Sequence, residues 1–198
     1  MKNFNLVNVL DTELTCYADG VFPEGEKQEI IEFGLTTVRL STLEIVKTVS
    51  IPVIPVMSTV TPFCTELTGW TLAKLKKQGV SYAEACRRIL AKHGSVNRLL
   101  VTDSNGDVAS VIEQCQRMGV DCPFGDDQLN VSTVFSLVTG QTENLGLVEK
   151  LAQLGLQFEG TQHRADVDSL NIARLLIKVI EISRGGLLAA RAKSLIGS

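Results

Sequence analysis

Val9-Leu10-Asp11-Thr12-Glu13 decides how the rest of this chain is read. It closes an apolar run, Leu6 to Leu10, of the kind that forms a buried strand, and it ends that run on two carboxylates one residue apart. Alternate residues of a strand share a face, so Asp11 and Glu13 are expected side by side at the strand's C-terminal end. Two adjacent negative charges repel each other unless a positive charge lies between them, and a divalent metal ion is the simplest such charge.

Outward from that strand the pattern is α/β. Glu29 to Leu40 and Leu43 to Ile54 are β-branched and largely apolar, and the short Ser41-Thr42 link predicts an antiparallel hairpin beside the first strand. Thr61 to Thr68 reads as a short helix with Pro62 in its first turn and Gly69 as its stop. Ser81 to His93 reads as a helix, with Ser81 and Glu84 in capping-box spacing and Gly94 after it. Arg98 to Thr102 is a second buried strand that also runs into acid, first Asp103 and then Asp107, before a helix over Val108 to Met118. A brief strand at Leu129 to Val131 and a helix at Leu145 to Leu154 follow. A last helix, about Asp166 to Ile182, is expected to break at Gly185-Gly186. The order is β-β-β-α-α-β-α-β-α-α: one domain over residues 1–184, with 185–198 a tail or short amphipathic helix.

Composition narrows the function. With 198 residues, 44% hydrophobic and 21% charged, the chain suits one soluble globular domain. Lys and Arg number 19 against 22 Asp and Glu, a net of −3, which argues against coating nucleic acid by bulk charge. An enzyme meeting phosphates through metal ions and a few local cations stays open. Five cysteines with no C-x-x-C pair read as reduced thiols. No apolar run reaches the ~18 residues of a membrane span, the N-terminus lacks a secretory pattern, and a cytoplasmic location is expected.

Four acids and a histidine then stand out. Asp11 and Glu13 end the first strand, Asp107 opens the helix after the second buried strand, and His163 and Asp168 form H-x-x-x-x-D at the entrance to the last helix. Open α/β sheets carry their sites at the C-terminal ends of strands. Carboxylates converging there make an oxygen-rich cage suited to Mg2+ or Mn2+, and two such ions ~3.5–4 Å apart can clamp a phosphodiester. A histidine beside the attacking water suits it to accept the proton. Plainer readings exist for several residues. Asp107 and Asp168 also suit helix N-termini, Trp70 suits a core, Glu32 suits either the site's border or the surface, and Lys74, Lys76 and Lys77 suit a solvated helix face.

Five segments in order, V-L-D-T-E-L-T-C, E-I-I-E-F-G, F-C-T-E-L-T-G, L-V-T-D-S-N-G-D and H-R-A-D-V-D-S-L-N-I-A-R-L, cover about Leu6 to Ile177. Together they resemble the DEDDh family of 3′→5′ exonucleases, and within it the histone-mRNA 3′-exonuclease branch. The resemblance implies an RNase H-like fold: a mixed central sheet with three N-terminal, antiparallel-connected strands and flanking helices. It implies two divalent ions, Mg2+ or Mn2+, held by Asp11, Glu13, Asp107 and Asp168, with His163 as general base. Leu14 would meet the base of the 3′-terminal nucleotide and the main chain near Thr15 its sugar. Thr68 and Gly69 match a second nucleotide-contacting segment, and Trp70 follows them where the branch usually has an aliphatic residue. That branch usually carries tryptophan where this chain has Gly106, which leaves Asp103 as a rival to Asp107 for the third acid; the opening of the helix favours Asp107. The implied function is metal-dependent hydrolysis of the 3′-terminal phosphodiester of single-stranded RNA or DNA, releasing 5′-nucleotides. The alternatives are a catalytically impaired nucleic-acid- or protein-binding module on the same fold, or a phosphodiesterase for small nucleotide conjugates. Specificity would come from the cleft or from a targeting protein partner.

Overall fold

In a computed structural model, which describes residues 4–196 and their side chains as far as residue 186, the first apolar run continues past Leu10. β1 spans Leu6–Leu14, so Asp11 and Glu13 lie within a hydrogen-bonded strand and not beyond its end. β2 (Ile30–Arg39) pairs antiparallel with it, and β3 (Glu44–Pro52) pairs antiparallel with β2, as the short link predicts. On the other side β4 (Leu100–Thr102) and β5 (Gln128–Asn130) add in parallel, giving the five-stranded order β3-β2-β1-β4-β5. β2 is buried from Ile30 to Val38 because helices cover one face and other helices the opposite one.

The helices follow their caps. Thr61 accepts a hydrogen bond from the Cys64 N–H ahead of α1 (Pro62–Thr68), and Gly69 ends it in the left-handed region. Ser81 caps α3 (Tyr82–His93), although Glu84 turns to Arg87 and Arg88 through its carboxylate. Two helices are missing from the expected element order: α2 (Leu72–Gln78), capped by Thr71, which only the helix-face reading of Lys74, Lys76 and Lys77 hinted at, and α5 (Val131–Thr139), capped by Asn130. The remaining helices are α4 (Gly106–Met118), α6 (Leu147–Gln153) and α7 (Ala165–Ile196). Gly185-Gly186 does not break α7: neither residue takes the left-handed conformation in which Gly69, Gly94, Gly119 and Gly140 end α1, α3, α4 and α5. The expected amphipathic character of 187–198 falls on side chains outside those described, and residues 197–198 lie outside the described residues altogether.

β1 shows how the core is split. Leu10 packs with Phe33, Leu35, Ile89 and Val111 on the α3–α4 side, while Val7 and Val9 pack with Phe135, Leu151, Ile172 and Leu176 on the α5–α7 side. α7 crosses the sheet on that second side, in contact with β1, β2 and β3. Its first turn presses on Gly34, where a Cβ would overlap the backbone carbonyl of Ala165. Gly34 is the partner of Asp11 across the β1–β2 ladder, so this contact brings the start of α7 to the acids of β1. Gly34→Ala is therefore expected to cost about 1–3 kcal/mol in chemical denaturation, through overpacking against backbone that cannot swing aside. Unchanged stability would show that α7 does not bear on the sheet there.

Candidate active site

β1 and β2 shift register just after Glu13: Glu13 faces Glu32, but Leu14 faces Ile30. A bulge of this kind re-aims side chains at a strand's end. Asp11 and Glu13 share a face as their spacing predicts, and Asp168, in the first turn of α7, joins them. One oxygen from each of the three lies within 4.8 Å of the others. Asp168 is held there because its Oδ2 accepts the Arg164 N–H at 3.0 Å. His163 stands just before α7 with φ 62°, exposed on the rim, and lines the same cleft of about 440 Å3 as the three acids and Asp107.

Asp107 reaches the cleft from the start of α4 but lies outside that tight trio. Its Oδ1 accepts the Thr12 N–H at 3.0 Å and the Thr12 hydroxyl at 2.8 Å, and its Oδ2 accepts the Ser104 hydroxyl at 3.1 Å. Gly106 does not disturb this arrangement, since a Cβ there would meet only the Ser104 Oγ, at 3.4 Å. The rival acid, Asp103, is spoken for. Both its oxygens bond Lys150 Nζ at 2.5 Å, and Ser132 donates to it at 2.7 Å.

The residues matched to nucleotide contacts divide. Leu14 ends β1 half-buried, and Gly69 is exposed. Thr15 is fully buried: its N–H donates to the Glu29 carbonyl, its carbonyl accepts from Gln28, and its hydroxyl bonds Glu29 N–H and Ser58. Thr68 is buried with its hydroxyl on the Cys64 carbonyl. Trp70, matched to that segment as a substrate-binding residue but equally suited to a core, is 4% exposed and packs with Ile31, Cys64 and Leu75, which favours the core reading. Its indole N–H is drawn inward by Glu32 Oε2 at 2.8 Å. Lys74, Lys76 and Lys77 do form a solvated face, on α2. Sequence reasoning passed over Thr12, Ser104 and Arg164, which fasten the acids. Only the H-x-x-x-x-D segment could have drawn attention to Arg164.

Burial dominates the electrostatics. It raises the Asp11 carboxyl well above the usual carboxylate range, with Asp107 and Asp168 adding repulsion. Burial, then Asp168 and Glu32, push Glu13 up to about 8, while burial pushes Asp168 up to about 6 against the pull of the Arg164 N–H and His163. Burial also raises Asp107, less its bonds to Thr12 and Ser104. Oxygen donors that are buried, crowded and short of counter-charge fit a hard divalent cation.

Comparison with known proteins comes down on the same side. The family model described as Exonuclease (RNase_T) matches residues 8–176. ERI1 exoribonuclease 3 of Homo sapiens is 33% identical over 187 residues, 88% of this chain and 53% of that protein. The 3'-5' exoribonuclease 1 of Homo sapiens is 27% identical over 191 residues, 90% of this chain and 53% of that protein. Among solved structures, the nuclease domain of 3'hExo, a DEDDh family member bound to rAMP, superposes with a TM-score of 0.81 at 24% identity. That match covers 90% of this chain and 92% of the other, and it gives the chain the same RNase H-like α/β fold. The chain spans about half the length of the curated relatives it matches.

Carboxyls raised in the folded state keep protons that the unfolded chain has released. Without metal, the stability that these groups contribute is therefore greatest below the unfolded carboxylate range and is lost as pH rises through about 6 for Asp168 and about 8 for Glu13. Divalent ions bind the ionised forms, so the Mn2+-induced rise in Tm is expected to be larger at about pH 8 than at about pH 5. Equal increments at the two pH values would contradict this. In calorimetric titrations Asp103→Asn is expected to keep Mn2+ binding and Asp168→Asn to lose it. Lys150→Met should cost about 1–3 kcal/mol in denaturation, because it leaves the half-buried Asp103 carboxylate without its partner.

Proposed function

The chain belongs to the Exonuclease (RNase_T) family, and from that membership we propose that it is a metal-dependent 3′→5′ exonuclease removing 5′-nucleotides from single-stranded RNA. The observation that carries the reading is the meeting of Asp11, Glu13 and Asp168 oxygens within 4.8 Å in a cleft that Asp107 and His163 also line. RNA is preferred over DNA because the similar proteins are named exoribonucleases.

Asp11, Glu13 and Asp168 would hold the divalent ions, with Asp107 completing the set from the α4 side. Mg2+ or Mn2+ bound there would polarise the phosphodiester and offset the charge that develops on it. His163 on the rim takes the proton of the attacking water as its oxygen bonds to phosphorus and the bond to the 3′-oxygen breaks. Leu14 and exposed Gly69 border the approach for the terminal nucleotide, whereas buried Thr15 and Thr68 shape that approach from beneath. Target choice is assigned to the cleft or to a protein partner. An impaired binding module gains no support, since all four acids and the histidine line one cleft, and a phosphodiesterase for small conjugates, which would use the same residues, is not favoured because the similar proteins are named exoribonucleases. No helix among the described residues is long and apolar enough to cross a membrane. Five free thiols support a reducing, cytoplasmic setting.

The test is degradation of 5′-labelled single-stranded RNA and DNA of equal sequence with Mg2+, Mn2+ or EDTA. RNA should shorten stepwise from its 3′ end with either metal and stay intact with EDTA. Asp11→Ala should lower the rate by more than about 10²-fold while the circular dichroism spectrum is kept. Internal cleavage, or a fully active Asp11→Ala, would end this reading.

A further inference from the structure

Glu32 takes no part in that chemistry, yet it is fully buried and heavily bonded. It accepts the Trp70 indole N–H at 2.8 Å, Arg164 Nε at 3.3 Å, Arg164 Nη2 at 3.1 Å and the Ala165 N–H at 3.2 Å, and the Ser50 hydroxyl as well. The Arg164 guanidinium lies over the Trp70 ring, 4.8 Å from its centroid. These bonds converge on the tripeptide His163-Arg164-Ala165. Its first residue has φ 62°, a conformation that a residue with a side chain keeps only where its surroundings hold it. The imidazole is exposed on the rim of the cleft, so the backbone that carries it determines where it stands. That backbone is tied on its C-terminal side at three points: the Arg164 N–H to Asp168, the Arg164 side chain to Glu32, and the Ala165 N–H to Glu32.

We propose that Glu32, acting through Arg164 stacked on Trp70, is a positioning residue for His163, holding the left-handed turn that sets the imidazole over the cleft. The inference rests on His163 serving as the base in the reading above. Arginine suits the task because its planar fork meets a carboxylate with two N–H groups while its face covers an indole. Lysine would keep the charge and lose both. The arrangement also ties the base to the metal-side acids, since Glu32 stands opposite Glu13 in the β1–β2 ladder and the Arg164 N–H holds Asp168.

The experiment uses Arg164→Ala, Arg164→Lys and Trp70→Phe in the full chain. It reads kcat and KM on an RNA oligomer, Mn2+ affinity by calorimetry, and histidine imidazole resonances by NMR. The chain has two histidines, so buried His93 is an internal reference for His163, and its single tryptophan makes Trp70 fluorescence a reporter of the cluster. Arg164→Ala is expected to lower kcat on the order of 10²-fold with KM unchanged and Mn2+ still bound, and to shift or broaden the His163 resonances alone. Arg164→Lys and Trp70→Phe should fall between it and the parent protein, and Arg164→Lys should alter Trp70 emission. Unchanged kcat overturns the proposal, as does a raised KM at constant kcat, which would mean that the half-exposed Arg164 touches RNA directly. Shifts of both histidines together would make the cluster a strut for the whole fold and overturn it too. If the parent protein degrades no RNA, the function proposed above fails, while the His163 resonances still report whether Arg164 positions the imidazole.

Discussion

At Gly34 the central sheet presents bare backbone, and the carbonyl of Ala165 takes the place a side chain would occupy. This lets the first turn of α7 lie against β2, directly opposite Asp11 across the ladder. Asp168 reaches Asp11 and Glu13 because the helix axis is this close. Two residues before the helix, His163 inherits its place from the same contact. The hydroxyls of Thr36 and Ser169 bond at 3.0 Å two residues further along the strand and one turn along the helix, fastening the approach. A sheet that carried a side chain at position 34 would hold the helix away, and the acids of β1 would face solvent.

Buried and half-buried acids in this molecule are of two kinds, and the difference separates structure from site. Glu29, 1% exposed, accepts the N–H groups of Val56 and Met57 at 2.9 and 2.7 Å and so pins the segment after β3. Glu32 has Arg164 and Trp70, and Asp103 has Lys150. Each of these carries a permanent partner that offsets its desolvation. Asp11, Glu13 and Asp168 instead crowd one another. Arg164, whose charge reaches Glu13, is already bonded to Glu32. Leaving three carboxylates in that state destabilises the metal-free fold, and a protein keeps such a feature where a cation from solution completes it.

The sequence was legible where the deciding interaction is local. Caps at Thr61 and Ser81, glycine stops at Gly69 and Gly94, and the i, i+2 pairing of Asp11 with Glu13 need only neighbours. α5 was hidden because Val131, Thr133 and Val134 are β-branched and carry strand propensity, which the Asn130 cap and burial of Val131 and Phe135 override. The choice between Asp103 and Asp107 rested on Lys150, 47 residues away, and no local pattern announces a buried lysine. Trp70 was ambiguous for the same reason, since its partner Glu32 lies 38 residues earlier. Gly185-Gly186 misled in the opposite direction. Glycine weakens a helix by about 1 kcal/mol per residue, but it stops one only where the backbone leaves the helical region, by a left-handed turn at Gly69 and Gly94 and by extended backbone at Gly79.

The opening pentapeptide carries more of the site than its two acids suggest. Strand periodicity sends Asp11 and Glu13 to one face and Thr12 to the other, where a spacer residue would have served a metal site equally well. Thr12 is not a spacer: its N–H and hydroxyl both bond Asp107 Oδ1, and they hold the third acid at the mouth of the cleft from across the β1–α4 junction. The register of β1 therefore sets Asp11 and Glu13 directly and Asp107 at one remove. Asp168 is set by the same strand's pairing, through the ladder partner Gly34 that admits α7. A one-residue slip of β1 against β2 would send the acids into the core and release both distant partners together. The bulge after Glu13, which absorbs an extra residue of β2 beyond the site, leaves that register intact where the acids lie.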